Sequence, residues 1–254
     1  MSKTLAVLLS VLFIQDPGPT RNPWAGFPDG SWALIESVDT QGKETTILRQ
    51  KFIVRIETGG SVACLITQQD DAGDKPIRPR RSVHVPGVLV TELVGTASKT
   101  ASEKTQVGDR SIACERSDYE LKDGDLDVRV TAWRTKELKI PYRELKRGMG
   151  RDLALDPDIV RLDLTLKRGA DSETCSIKVV ELDHKLAVDG KDLSCVVEEG
   201  TVDVKKGTRA YKGSVRRWLS NAVPGRVLRS EVRGEADGKK VERIERVISF
   251  RGPP

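Results

Sequence analysis

The chain contains one short motif twice, and this repetition is the feature that most constrains its architecture. The segments Val107–Cys114 and Val188–Cys195 share the same step from Val to Cys, with apolar, charged and small residues in matching places. Each copy precedes a tryptophan and a Pro-x-Arg triplet, at Trp133 and residues 141–143 in the first copy and at Trp218 and residues 224–226 in the second. Internal similarity of this kind indicates a repeated supersecondary unit. The sequence therefore predicts two tandem related units.

Apolar and polar residues alternate along runs of about 8 to 14 residues that are separated by Gly, Pro, Asp and Asn. In residues 159–167 one face collects the side chains Val160, Leu162, Leu164 and Leu166. Residues 125–132 and 178–188 alternate in the same way, and we also interpret residues 241–248 as a strand. A period of two is typical of an antiparallel sheet with one dry face. The predicted fold class is all-β, with antiparallel sheets forming a half-barrel or a sandwich and few helices.

The repeat and the strand pattern together predict how the chain is divided. Residues 1–15 are interpreted as a signal peptide, residues 16–157 as the first β unit and residues 158–254 as the second. The first unit carries a long insert near residues 68–104 that the second lacks.

The N-terminal segment has the pattern of an export signal. Lys3 provides a short positive region, and Leu5–Ile14 provides an apolar region that is too short to cross a bilayer as a helix. A short uncleaved anchor and a misplaced start are the alternatives. The sequence thus predicts an exported protein, periplasmic or extracellular, with no transmembrane segment in its mature chain.

Four cysteines in an exported chain favour disulfides over a metal site, because no Cys-x-x-Cys or His cluster has metal-ligand spacing. If the two units are equivalent, Cys64 pairs with Cys114 and Cys175 pairs with Cys195, each bond joining neighbouring strands. Three connectivities are possible in principle, and four buried free thiols are the alternative.

Three segments resemble a known group of proteins. Residues 27–32 (Phe-Pro-Asp-Gly-Ser-Trp), the repeated strand that ends in Cys, and residues 218–225 (Trp-Leu-Ser-Asn-Ala-Val-Pro-Gly) resemble exported bacterial all-β proteins of unknown function, which are similar to the half-barrel of lipoprotein carriers. The resemblance covers most of the mature chain and implies a fold and an exported compartment, but no activity. The chain differs from the carriers in its duplication and in lacking their helices.

Positive charge is concentrated around the Trp and Pro-x-Arg segment of each unit. Residues 134–151 carry a net charge of +5 and residues 216–233 one of +4, whereas the whole chain carries only +5. By strand parity both tryptophans point away from the more apolar side of their strands, where an aromatic ring among arginines can stack on a sugar or support an anion. The predicted ligand-binding residues are Arg129, Trp133, Arg134, Arg143, Arg216, Arg217, Trp218, Arg226 and Arg229. The alternative is that the second face is also covered and both tryptophans belong to the core.

No catalytic signature stands out, and the chain is predicted not to be an enzyme. Its two histidines leave little for a zinc site or a Ser-His hydrolase, so no metal and no cofactor are predicted. The leading hypothesis is a non-enzymatic exported binding or structural module that presents basic, aromatic-bearing surfaces to an anionic polysaccharide or a lipid head group. Nucleic acid is disfavoured as a partner, because export separates the protein from most of it. The alternative is a half-barrel carrier of a lipid or another apolar ligand.

Overall fold

The structure, a computed structural model, describes residues 22–58, 61–69, 80–83, 87–145 and 152–252. The predicted signal peptide (1–15), part of the predicted insert and the basic residues Lys146, Arg147 and Arg151 lie outside the described residues.

The described residues form sixteen strands and one short helix. The strands are β1 (Trp32–Gln41), β2 (Glu44–Ile56), β3 (Val62–Gln69), β4 (Arg80–Val83), β5 (Val88–Leu89), β6 (Lys99–Val107), β7 (Arg110–Asp123), β8 (Leu126–Arg134), β9 (Arg143–Leu145), β10 (Leu153–Leu155), β11 (Ile159–Arg168), β12 (Asp171–Val188), β13 (Lys191–Lys206), β14 (Arg209–Leu219), β15 (Val227–Ala236) and β16 (Lys239–Arg251). The helix α1 spans Val90–Val94, directly after β5.

Thirteen of these strands form one antiparallel sheet. Its order is β4-β3-β2-β1-β16-β15-β14-β13-β12-β11-β8-β7-β6, and β5, β10 and β9 form a small second sheet. The large sheet is open, with β4 and β6 at its two edges, and this confirms the predicted all-β class with antiparallel sheets and few helices. Among the described residues, no helix has both the length and the apolar character needed to cross a membrane.

Both copies of the repeated motif form a hairpin turn and the start of the strand that follows it. The turn between β6 and β7 has Gly108 at φ +60°, and the turn between β12 and β13 has Asp189 and Gly190 at φ +52° and +71°. A left-handed backbone at these positions favours the Gly and Asp that the motif provides. The predicted boundary at residues 157 and 158 falls just before β11, and the division into two units stays a prediction.

The large sheet has two unequal faces. We call the face that carries Val130, Leu164 and Ile177 the inner face, and the opposite one the outer face. On the inner face α1, β9 and β10 pack over β7, β8, β11, β12 and part of β13, and their aliphatic side chains form one buried cluster with the sheet. Burial of this apolar surface is the main force that holds the second layer in place. Among the residues that the structure describes, this aliphatic cover ends at β13, and no equivalent layer covers the inner face of the remaining strands.

The predicted alternation holds along most of each strand and fails at bulges. Leu162, Leu164 and Leu166 are buried together on the inner face. Val160 lies at a register shift at the start of β11 and packs in a different cluster from those leucines. Two further register shifts interrupt β12, where Asp183 has a φ of +59°. Each bulge adds a residue and exchanges the two faces of the strand beyond it.

The predicted disulfides are wrong, because neither predicted pair comes within bonding reach, and all four cysteines are buried thiols that form no disulfide. Cys64 lies in β3 and Cys114 in β7, with nine strands between them in the sheet order. Cys175 and Cys195 lie on adjacent strands, but Cys175 pairs with Val202, which places the two cysteines roughly 20 Å apart along the strands. Burial raises the pKa of the Cys64 thiol to about 12 and that of Cys195 to about 11, so these thiols stay protonated.

Candidate functional site

A cavity of about 660 Å³ lies on the inner face, beside the small sheet and beyond the end of its cover. Its floor is formed by β13 to β16 and β1, and Leu145 and Trp24 stand at its sides. The aliphatic side chains that line it are Ile35, Val202, Val204, Val215, Val227, Leu228, Val232 and Val247. A concave, mostly apolar cavity of this size is typical of a small-molecule site.

Glycines shape the floor of the cavity. Val202, Gly213 and Gly234 are cross-strand neighbours on β13, β14 and β15, and the ring of Tyr211 lies over the two glycines. A Cβ atom at Gly213 would clash with the Tyr211 Oη atom, and one at Gly234 would stand 3.1 Å from it. Only a residue without a side chain leaves room for this ring. The glycines therefore let an aromatic side chain lie flat against the sheet next to the cavity.

One buried charge cluster borders the cavity and includes two of the predicted ligand-binding residues. Glu198 has a side-chain exposure of only 1% and lies between Arg143, at 2.7 Å, and Arg217, at 2.5 Å. Arg217 also donates a hydrogen bond of 2.7 Å to the backbone oxygen of Glu144, and its side chain forms part of the cavity wall. Burial lowers the pKa of the Arg143 guanidinium below its usual value. Arg143 and Arg217 thus lie in the interior, where their charges face a buried carboxylate.

On the outer face, the structure brings three other predicted residues together. Arg216, Trp218 and Arg229 line one groove of about 690 Å³. The guanidinium carbon of Arg216 lies 5.1 Å from the centroid of the Trp218 ring, and that of Arg229 lies 5.2 Å from it. Both distances are those of a cation–π contact. Trp218 itself is only 7% exposed, so the arginines, rather than the ring, offer the accessible surface.

Trp133 occupies a similar position on the outer face of β8. It is 7% exposed, and its Nε1 donates a hydrogen bond of 2.9 Å to Glu103. The guanidinium carbon of Arg161 lies 4.2 Å from the ring centroid. Both tryptophans therefore lie on the predicted face but are covered there, as the alternative expectation had it.

Arg129 and Arg134 do not join these two tryptophans in a common site. Arg129 is on the outer face and pairs with Asp127 at 3.4 Å. Arg134 donates hydrogen bonds of 2.9 and 3.0 Å to Asp156 and Asp158, and these contacts hold the start of β11 against the end of β8. Arg134 therefore connects two strands through its charge.

Arg226 also has a connecting role. Its Nη2 donates a hydrogen bond of 3.0 Å to the backbone oxygen of Ala25, and its guanidinium lies 5.7 Å from the ring centroid of Phe27. The neighbouring Gly225 has a φ of +85°, and a Cβ atom there would stand 2.9 Å from the Trp24 ring. The conformation of the loop after β14 and that of the segment before β1 therefore depend on one another.

Sequence reasoning missed the inner cavity, Glu198 and Lys178, which lines the outer groove. Strand parity could have found Glu198, because an acidic residue shares its face of β13 with Val202 and Val204. No local pattern could have found the cavity, because its floor requires the pairing of β1 with β16.

No family model matches the chain, and no curated protein matches it. One solved structure that aligns with it is a "putative exported protein with YmcC-like fold" from Bacteroides fragilis NCTC 9343, with 11% identity, a TM-score of 0.37, and coverage of 88% of this chain and 96% of that one. Another is a "putative lipoprotein" from Parabacteroides distasonis ATCC 8503, with 8% identity, a TM-score of 0.39 and the same two coverages. At TM-scores this low, the likeness carries no argument about the present chain.

Proposed function

We propose that the protein is a non-enzymatic exported module that holds an acyl-chain ligand, such as a fatty acid or a lipid tail, in the cavity on its inner face. The observation that carries this proposal is the cavity of about 660 Å³, whose walls are mostly apolar. Export, to the periplasm or the extracellular space, is part of the proposal and rests on the apolar segment Leu5–Ile14.

The chemistry of the walls favours a flexible apolar ligand. Each methylene of an acyl chain that leaves water contributes about 0.8 kcal/mol. Val215 and Val232 are direct cross-strand neighbours in the middle of the floor, and Leu228 and Val247 extend the apolar surface toward Trp24. Arg217 supplies a polar point on this wall and can orient the polar end of such a ligand. A carrier of an apolar ligand is thus favoured over a purely structural module.

The test is to measure the binding of an acyl chain directly. Native mass spectrometry of the purified protein should show a bound lipid, and titration with the fluorescent fatty acid cis-parinaric acid should saturate at one site that palmitate competes for. We expect Val232→Trp, which fills the centre of the cavity, to weaken binding about tenfold or more.

A matched control lies on the adjacent strand. Ile244 is half-buried on the outer face of β16, so Ile244→Trp adds the same side chain away from the cavity. Circular dichroism establishes whether both variants fold. If Val232→Trp does not fold, Val215→Phe provides a second, smaller obstruction of the cavity. Equal binding by the inner-face and outer-face variants, or the absence of any saturable binding, would overturn the proposal.

A further inference from the structure

The outer face carries ordered rows of side chains that run across the strands. One row passes from Trp133 through Arg161 and Lys178 to Glu199 and Arg216 on successive strands. Antiparallel neighbours in such a row have their side chains about 5 Å apart, close enough to interact. The row therefore places cationic groups of β11, β12 and β14 along one line of the surface.

The groove beside Trp218 lies at the β12 to β15 end of this row. Four cationic side chains and two carboxylates line it, namely Lys178, Arg216, Arg229 and Arg233 with Glu199 and Glu231. The groove is therefore net positive, and its excess charge can attract an anion over a distance of several ångströms.

Two of these cations have N–H donors that are available to a ligand. Within the described part of the chain, Lys178 makes no ion pair and no hydrogen bond. Arg216 has a carboxylate oxygen of Glu199 at 3.6 Å, which is beyond the length of a hydrogen bond. Arg229 and Arg233, by contrast, share Glu231 at 2.5 and 3.3 Å. Lys178 and Arg216 are thus the groups that a bound anion would meet first.

Hydroxyl groups lie next to these cations. Thr201 and Ser214 are direct cross-strand neighbours on β13 and β14, exposed on the outer face and lining the same groove. A phosphate or sulfate ion would accept hydrogen bonds from the cations and from these hydroxyls. A sugar that carries an acidic group would use the hydroxyls both as donors and as acceptors, because its own hydroxyls also need hydrogen-bond partners. The volume of about 690 Å³ is also larger than an inorganic ion requires.

We propose that this outer groove binds an acidic saccharide, with Lys178 and Arg216 contacting its carboxylate and Thr201 and Ser214 its hydroxyl groups. Trp218 is a positioning residue that holds the Arg216 and Arg229 guanidinium groups in place through its ring faces. The site lies on the opposite face of the sheet from the proposed acyl-chain cavity.

The experiment is a calorimetric titration of the full protein with oligogalacturonate of about six sugars, with the methyl-esterified oligomer as the uncharged control ligand. We expect the acidic oligomer to bind and the ester to bind at least about tenfold more weakly. Raising the salt concentration from about 50 mM to about 500 mM should weaken binding of the acidic oligomer.

Charge substitutions in the groove should change the affinity for the acidic oligomer in opposite directions. Lys178→Glu should weaken binding about tenfold, whereas Lys206→Glu, the same change at the exposed end of β13 outside the groove, should not alter it. Glu199→Gln should strengthen binding several-fold, because it removes the carboxylate that lies between the two binding cations. A merely structural role for Glu199 would give no such gain.

Several results would overturn the proposal. These are equal binding of the ester, equal effects of Lys178→Glu and Lys206→Glu, and binding to vesicles of anionic phospholipid in place of the oligomer. Val232→Trp should leave oligogalacturonate binding unchanged, so that failure of the saccharide site and failure of the acyl-chain cavity are distinguishable.

Discussion

Glu198 and Glu199 are neighbours in the chain, yet they lie on opposite faces of β13 and meet different environments. The Glu198 side chain is 1% exposed and faces Arg143 and Arg217, whereas the Glu199 side chain is 42% exposed and faces Arg216 at 3.6 Å. Removing one partner from a buried ion cluster leaves the remaining charges without compensation, but solvent screens the exposed pair. The same residue type therefore has a structural role at one position and an electrostatic role at the next.

This contrast gives a prediction at the residue scale. Glu198→Gln should reduce the free energy of unfolding by about 3 to 5 kcal/mol, because it leaves two buried guanidinium groups without a carboxylate. Glu199→Gln should change it by less than about 1 kcal/mol. Urea unfolding followed by circular dichroism measures both values. Similar losses in the two variants would mean that the interior cluster contributes no more than a surface pair.

At the scale of single elements, the glycines in β14 and β15 determine what the strands can pack against. Gly213 allows the Tyr211 ring to approach the sheet, and Gly234 lies directly across from Gly213 on β15. Because a Cβ atom at Gly213 would also stand 2.8 Å from the backbone oxygen of Arg233, the obstruction includes backbone as well as a movable side chain. The region is therefore sensitive to small changes in side-chain size.

Gly213→Ala should lower the free energy of unfolding by about 1 to 3 kcal/mol, because the added methyl group forces the strands or the tyrosine ring to move. Tyr211→Phe serves as a control that keeps the ring and removes only the hydroxyl group, and it should cost less than about 1 kcal/mol. Thermal unfolding of the two variants measures the difference. A neutral effect of Gly213→Ala would contradict the close approach described above.

The sequence predicted individual strands well where the pattern of neighbouring residues determines them. Residues 241–248 were correctly interpreted as a strand, within β16, and alternation identified β8 and β11. It failed at the bulges of β11 and β12, because a single added residue leaves the composition unchanged while exchanging the faces. The cysteine pairing failed because Cys64 and Cys114 lie on strands that are far apart in the sheet order, and because Cys175 and Cys195 are offset along two adjacent strands. The groove residues Arg216, Trp218 and Arg229 come together because strand parity and a short loop decide their placement.

For the whole molecule, the decisive contact is the pairing of β1 with β16. It joins strands that are about 200 residues apart, as in the ion pairs of Asp39 with Arg243 and of Glu36 with Arg246. This pairing connects β1 to β4 with the rest of the large sheet and completes the floor of the inner cavity. Contacts of such long range involve a large loss of chain entropy before they form.

The sheet should therefore differ in local stability from centre to edge. Amide hydrogens of β12 and β13, which have partners on both sides, should exchange most slowly, whereas those of the edge strand β6 that point away from β7 should exchange fastest. Native hydrogen exchange followed by mass spectrometry resolves these segments. Uniform exchange across all thirteen strands would show instead that the sheet opens only as a single unit.

The pairing of Trp32 with Arg251 has a practical consequence for studying ligands. The two ends of the described fold leave the sheet side by side, next to the Trp24 and Gly225 corner of the cavity. A fluorescent donor attached ahead of β1 would thus sit close to any acyl chain in the cavity, while a donor placed at the turn near Gly207, at the other end of the strands, would sit far from that corner. Energy transfer from these two positions would report which end of the cavity an apolar ligand occupies, without altering a single residue of its walls.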